Sequence, residues 1–255
     1  MGRSILENKR GIQSVEVASE ILKVICSSPK PLSLSEIADI LQIVPGSVHI
    51  YLVSLMRTGL LKRDETTLEY EPGALGLRLG ISHFNKNQLI INGKIRLSAF
   101  AEKYELNAFI SMWSNEGPSV IFYKEFAGFL NISFKLGLTL SLLETTVGQL
   151  YCAYKSPEEV LNIIEKKPQK KYKSSHYSTA DFQNMLKDIR KNKHLMLDNT
   201  PTNGITAIAV PVLDKSNSIS LALTVFTETE KLKTISTPIN QLIEELIYIS
   251  ENLYE

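Results

Sequence analysis

The chain has 255 residues, 44% of them apolar, which is enough for one large core or two modest ones and excludes a wholly disordered protein. Its 28 Lys and Arg nearly balance 27 Asp and Glu, so no global positive field advertises a nucleic-acid partner; any such binding must come from local placement. The two cysteines, Cys26 and Cys152, lie in apolar helix-like segments far apart, which suits buried thiols in a reducing cytosol better than a disulfide. No amino-terminal apolar stretch carries a cleavage site, and the longest apolar runs, such as Ile205 to Leu213, reach about half of a roughly 20-residue membrane span. A soluble, cytoplasmic protein with no membrane partner is expected.

In residues 13–28 the apolar positions Val17, Ile21, Leu22, Val24 and Ile25 form a helical stripe that ends before Pro29. Ser33 followed by Glu36 has capping-box spacing, and Ile37, Ala38 and Leu41 continue a short second helix. Pro45 suits the first turn of a third helix, whose Val48, Leu52 and Leu55 form one buried row until Gly59. Residues 60–63 and 68–71 alternate like strands around the polar tip 64–67, a short hairpin. Helix, helix, turn, helix and two-stranded wing is the winged helix-turn-helix order, with the third helix offered to the major groove. Residues 72–80 and 89–104 look helical, separated by a polar stretch at 82–88. The expected domains are therefore 1–72, a linker helix region over 73–88 with the boundary near residue 80, and 89–255.

Beyond it, strands are expected at 108–113, 120–126, 130–135, 205–213 and 219–226, and helices at 146–154, 157–166, 179–192 and 237–254. Hairpins flanked by helices indicate a mainly antiparallel sheet with helical cover, the α+β class.

The fragments GIQSVEVASEILKVI from Gly11, LSLSEIADIL from Leu32 and SLMRTGLLKRD from Ser54, in ungapped order, together with TTVGQLYCAY from Thr145, GITAIAVPVLD from Gly204 and the ISLALTVF strand, resemble the IclR family of transcriptional regulators. The resemblance covers nearly the whole chain. It implies a winged helix-turn-helix DNA-binding domain, a GAF-like effector-binding domain, and homodimers or dimers of dimers on double-stranded DNA.

On the third helix, burial of Val48, Leu52 and Leu55 leaves Gly46, Ser47, His49, Ile50, Val53, Ser54 and Arg57 nearest the exposed side. Ile50 stands where the family often places Arg. That removes the bidentate guanine contact and leaves an apolar contact to a thymine methyl as the chemistry available there. Phosphate contacts are expected from Lys30, Ser33, Ser35, Arg57, Lys62 and Arg63 and from Arg3, Lys9 and Arg10, with a solvated face as the alternative for each cation. Glu65, Glu69 and Glu71 would repel phosphate, so the wing approaches DNA through Lys62 and Arg63 or stays clear.

Carried over from the resemblance, the small-molecule site falls on Thr146, Val147 and Gly148 at a helix start, on Leu197, on Ala207, and on Thr224 and Phe226. Free N–H groups of residues 146–148 could hydrogen-bond an anion or carbonyl. Family members that bind small carboxylates present an acidic residue, a cysteine and two serines at the last four positions. This chain implies a drier, narrower pocket with Thr224 as its main hydroxyl. Either the effector is more apolar than a small carboxylate, with Phe226 as a stacking surface, or the cavity has closed and these residues are core. Asp198 restores polarity only if the correspondence slips by one.

No other chemistry stands out. His49, His83, His176 and His194 form no pair at metal-ligand spacing, and the nucleophile elbow, phosphate loop and dinucleotide fingerprint are missing, so neither a metal, a cofactor nor an enzyme is expected. The basic run 166–173 reads as a solvated loop, with a polyanion contact as the alternative. The rival to a DNA-reading regulator is a protein-interaction module of the same shape that has lost base readout, suggested by Pro45, Gly46 and Ile50.

Overall fold

Three short helices, α1 (Gln13–Ser27), α2 (Leu34–Leu41) and α3 (Pro45–Arg57), begin the part of the chain described by the computed structural model, which covers residues 11–126, 136–166, 179–199 and 201–255. The expected strand 130–135, residues 167–173 of the basic run, His176, Arg3, Lys9 and Arg10 lie outside the described residues. Helix α2 starts on the capping box its sequence promises: the Glu36 N–H donates to Ser33 Oγ at 3.3 Å and the Ser33 N–H to Glu36 Oε2 at 2.8 Å. It stops at Gln42, in the left-handed region at φ 55°. Helix α3 carries Pro45 in its first turn and buries Val48, Leu52 and Leu55; Gly59, at φ 76°, supplies the left-handed residue that turns the chain away.

Strands β1 (Leu61–Arg63) and β2 (Tyr70–Pro72) pair antiparallel, and Leu32 adds a bridge to Tyr70. The Asp64 carboxylate accepts the Thr66 and Thr67 N–H groups at 2.8 Å and shapes the tip. The second strand begins two residues later than its pattern suggests, because Leu68 adopts φ 62° to close the turn. Ile21, Ile37, Val48, Leu52, Leu61 and Tyr70 pack one core beneath these elements. Cys26 corrects one expectation: it is exposed, whereas its neighbour Ile25 faces the core. Helix α4 (Ala74–Lys86) runs six residues past the expected end, so the polar stretch at 82–86 is helical and the break falls at Asn87. None of its residues is buried, so polar side chains there do not interrupt it. The chain divides into two units between Asn87 and Gln88.

The second unit contains α5 (Gln88–Tyr104), β3 (Asn107–Ser114), β4 (Gly117–Lys124), α6 (Thr146–Tyr154), α7 (Pro157–Lys166), α8 (Thr179–Asn192), β5 (Leu195–Asp198), β6 (Ile205–Leu213), β7 (Ile219–Glu228), α9 (Thr229–Thr234) and α10 (Ile239–Glu251). Its five described strands form one antiparallel sheet in the order β4-β3-β7-β6-β5, which makes the chain α+β. Phe109, Val120, Ala209, Ala222 and Phe226 pack on one face with Val147, Leu150 and Tyr151 of α6 and Ile189 of α8. Ile110, next to Phe109 and therefore on the opposite face, meets α5 where Gly93 comes close. The four-residue edge strand β5 and the six-residue α9 are not among the expected elements; both are too short for periodicity to mark.

Gly148 sets the position of α6. A Cβ there would collide with the Ser141 carbonyl oxygen and lie 2.7 Å from Leu142 Cα, and both obstacles are backbone. Gly148→Ala is expected to destabilise the protein by about 1–3 kcal/mol, read by urea unfolding. In the first unit, hydrogen bonds from Lys30 and from the Ser33 backbone and hydroxyl hold Glu36 down at about pKa 2, from an ordinary 4.5. A depressed carboxylate stabilises the fold above its unfolded pKa and loses that contribution as pH falls through its folded pKa. The stability difference between the parent and Glu36→Gln should therefore be full near pH 6 and shrink between about pH 4.5 and 2 in pH-resolved urea titrations.

Candidate functional site

Helix α3 presents two opposite rows. Val48, Leu52 and Leu55 are buried, while Ser47, His49, Ile50, Ser54 and Arg57 are exposed and Val53 is half-buried. Gly46 is also exposed, and a Cβ there would meet nothing within 4 Å, so the protein's own packing does not require glycine. Ile50 is 68% exposed. The Ser54 hydroxyl donates to the Ile50 carbonyl at 3.1 Å, which ties up its proton and leaves its lone pairs outward.

The supporting cations are mostly engaged. Lys30 pairs with Glu36 at 2.7 Å and Lys62 with Glu71 at 2.9 Å; Arg63 donates to the Leu68 carbonyl at 3.1 Å and lies over the Tyr70 ring. The Glu71 hydrogen bond raises the Lys62 pKa, so that ammonium stays charged. Among these candidate cations in the described residues, Arg57 alone has no intramolecular partner. Exposed pairs of this kind contribute little to stability, so Lys30 and Lys62 can exchange a carboxylate for a phosphate at little cost. Ser33 is committed to its cap and Ser35 bonds to the Ser33 hydroxyl at 3.1 Å, so both serve α2 before any outside group.

In the second unit, a cavity with about 520 Å³ of empty space, part of it open to solvent, lies between the start of α6 and the sheet. Its walls include Phe109, Leu140, Thr145, Thr146, Val147, Ile205, Ala207, Thr224 and Phe226, with Pro201 and Thr202 exposed at its margin. The pairing register explains the convergence: Thr224 lies opposite Phe109 on one side and Ala209 on the other, and Phe226 opposite Ala207. Phe226 also packs tilted against Phe109 at 6.0 Å and stacked with Tyr123 at 6.4 Å between centroids.

Of the seven residues carried over from the sequence, Thr146, Val147, Ala207, Thr224 and Phe226 meet at this cavity and two do not. Leu197 pairs with Ala207 but does not line it. At that end Pro201 and Thr202 line the margin, and the Asn199 N–H donates to the Ile205 carbonyl at 2.7 Å. Gly148 is also outside, and its N–H donates to Thr145 Oγ1 at 3.0 Å, so it is not available to a ligand. Asp198 does not restore polarity, since it accepts the Thr206 hydroxyl at 2.6 Å. The contributions of Phe109, Leu140, Thr145, Pro201, Thr202 and Ile205 were not anticipated. Strand alternation through Thr224 could have suggested Phe109, but the loop residues carry no sequence signal.

The cavity is almost wholly apolar, with one exception. Thr146 Oγ1 and Thr224 Oγ1 are both buried without a hydrogen-bond partner among the described residues. An unsatisfied buried hydroxyl costs about 1–3 kcal/mol, and this cavity holds two. No charged side chain among the described residues lines it. Elsewhere in the core the buried Cys152 thiol, pushed up to about 12 by desolvation, is unreactive packing.

Among the described residues no group of His, Cys, Asp and Glu could hold a metal ion, and no single helix is long and apolar enough to cross a membrane. Residues 14–65 match the IclR helix-turn-helix domain and residues 85–253 the C-terminal domain of bacterial IclR transcriptional regulators. The glycerol operon regulatory protein of Streptomyces coelicolor is 24% identical over 207 residues, 81% of each chain. An IclR transcriptional regulator from Alicyclobacillus acidocaldarius superposes with a TM-score of 0.79 at 19% identity, covering 96% of this chain and 98% of that one. An IclR homologue from Microbacterium hydrocarbonoxydans, crystallised with 4-hydroxybenzoate, superposes at 0.73 with 11% identity over 94% and 97%. With both domain models matched in order and the second spanning more than half its length, the chain belongs to the IclR family of transcriptional regulators.

Proposed function

We propose that this DNA-binding regulator acts in the cytoplasm as a homodimer or dimer of dimers, reads operator DNA with α3, and changes its DNA affinity when a small, mainly apolar molecule with one hydrogen-bonding head fills the cavity. The observation that carries the effector half is a mainly apolar cavity lined in part by Thr146 and Thr224, whose buried hydroxyls have no hydrogen-bond partner among the described residues and would need only a small side-chain adjustment to meet a ligand. A phenol, an amide or one edge of an aromatic acid would satisfy them while its body lies against Phe109, Leu140, Ile205 and Phe226. A small dianion would find no countercharge. The homologue crystallised with 4-hydroxybenzoate suggests an aromatic of that size as the first probe. For regulation, the effector must bind the DNA-competent and incompetent states with different affinity.

On DNA, two α3 helices of a dimer would occupy half-sites about one helical turn apart, or a multiple of that. Ser47 and His49 offer donors at the entering end, while Arg57, with Lys62 and Arg63, supplies phosphate contacts. The second reading, an interaction module without base readout, draws on the apolar Ile50 and the engaged cations.

Arg57→Ala is expected to weaken binding to all sequences alike and to reduce the slope of log K against log salt by about one per protomer, measured by fluorescence anisotropy at several salt concentrations. Unchanged binding and slope would favour the interaction module. Thr224→Val removes an orphaned hydroxyl at constant shape, so the ligand-free protein should gain about 1 kcal/mol while affinity for 4-hydroxybenzoate falls about tenfold. A gain in stability without binding of any aromatic probe would mean that the space is merely core.

A further inference from the structure

We infer that Ile50 determines specificity by contacting the C5-methyl group of a thymine in the major groove, so that each operator half-site carries a thymine at that position. The inference rests on the reading that α3 enters the groove. Ser47, Ile50, Ser54 and Arg57 are spaced i, i+3, i+7 and i+10, which places them along one face of the helix, and all four are exposed. Ile50 is the large side chain in the middle of that row, and two-thirds of it is in water. The groups around it suit an apolar contact. Gly46, one turn earlier on the same side, has open space where a Cβ would be, so a groove wall can come close beside Ile50. One turn later, the Ser54 proton is folded back onto the Ile50 carbonyl, so no donor competes for the neighbouring base edge. Arg57 closes the row with a charge for the backbone.

A β-branched residue in a helix holds one strongly preferred rotamer, so the Ile50 methyl groups are presented in a fixed place. Of the four bases only thymine offers an apolar group in the major groove. Every base, thymine with its O4 included, risks losing the hydration of a polar edge atom against an isoleucine, but only thymine offers a methyl group whose burial offsets that loss. The residue therefore selects by the methyl contact that the three alternatives lack.

The test uses the full chain and needs no knowledge of its natural operator. Binding sites are selected from a random duplex pool, and each thymine of the selected site is then replaced singly by deoxyuridine, which removes only the methyl group. The expected result is one thymine per half-site whose replacement weakens binding about three- to five-fold, the worth of one methyl contact. Ile50→Ala should bind thymine and deoxyuridine equally at that position while keeping the parent's response elsewhere, and Ile50→Arg should select guanine there. Because Ile50 is exposed, both variants should melt as the parent does, which separates lost contact from lost fold. Selective binding that ignores every methyl group, or methyl dependence that survives in Ile50→Ala, overturns the inference and leaves the role of α3 standing. Equal weakening of Ile50→Ala on both duplexes with a changed mass in solution also overturns it, since Ile50 would then cover a second copy of the chain. Absence of any sequence-selective binding overturns both readings together.

Discussion

The close approach of Gly148 to the backbone of Ser141 and Leu142 is the contact on which the second unit's site depends. It seats the start of α6 against the preceding turn, and Thr145 caps that helix by accepting the Gly148 N–H. From this seat, Val147, Leu150 and Tyr151 reach down onto the sheet, and the fully buried Tyr151 hydroxyl donates to the Ser111 carbonyl at 2.8 Å. The helix thus closes on the sheet along most of its length, and the space left at its first turn is the cavity. A larger residue at 148 would lift that turn, and with it the roof over Thr224 and Phe226.

The same geometry explains why the cavity is dry and yet polar at two points. Residues facing α6 from β3, β6 and β7 are packing residues, and pairing register sets Phe109, Thr224 and Ala209 side by side. Threonine is nearly isosteric with valine, so Thr146 and Thr224 fill core positions without disturbing the packing and contribute hydroxyls that no group among the described residues satisfies. In the proposed effector site such groups would lower the stability of the ligand-free protein and raise its affinity for a molecule that completes them. A site of this kind couples occupancy to stability through the same atoms.

In the first unit the governing constraint is the buried row of α3. Once Val48, Leu52 and Leu55 are fixed against Ile21, Ile37 and Tyr70, helical periodicity leaves no choice about which residues face outward. The wing is less committed. Its cations are held by Glu71, by the Leu68 carbonyl and by the Tyr70 ring, and Leu68 accepts a left-handed backbone to close the turn, so the wing is first of all a structural clamp on β1. On the proposed reading, base selection would fall to the exposed side chains of α3 rather than to the wing.

The sequence by itself determined what short-range physics decides: the helix starts at Ser33 and Pro45, the stop at Gly59, the order of the longer described strands and helices, and the two faces of α3. Periodicity and capping chemistry act within a few residues, so they are legible without a fold. It also marked Thr146, Val147, Ala207, Thr224 and Phe226 through family resemblance. Tertiary structure alone decided the rest. The edge strand β5 exists because β6 offers a partner, not because four residues prefer it. The cavity wall at Pro201, Thr202 and Ile205 joins residues on either side of the Asn199–Ile205 hydrogen bond, and Leu197, though paired with Ala207, stays outside it. Whether a cation is engaged and whether a threonine hydroxyl is satisfied depend on atoms far away in sequence. Hydrogen bonds and ion pairs are settled at distances of a few ångströms, and only the folded chain brings those atoms within reach.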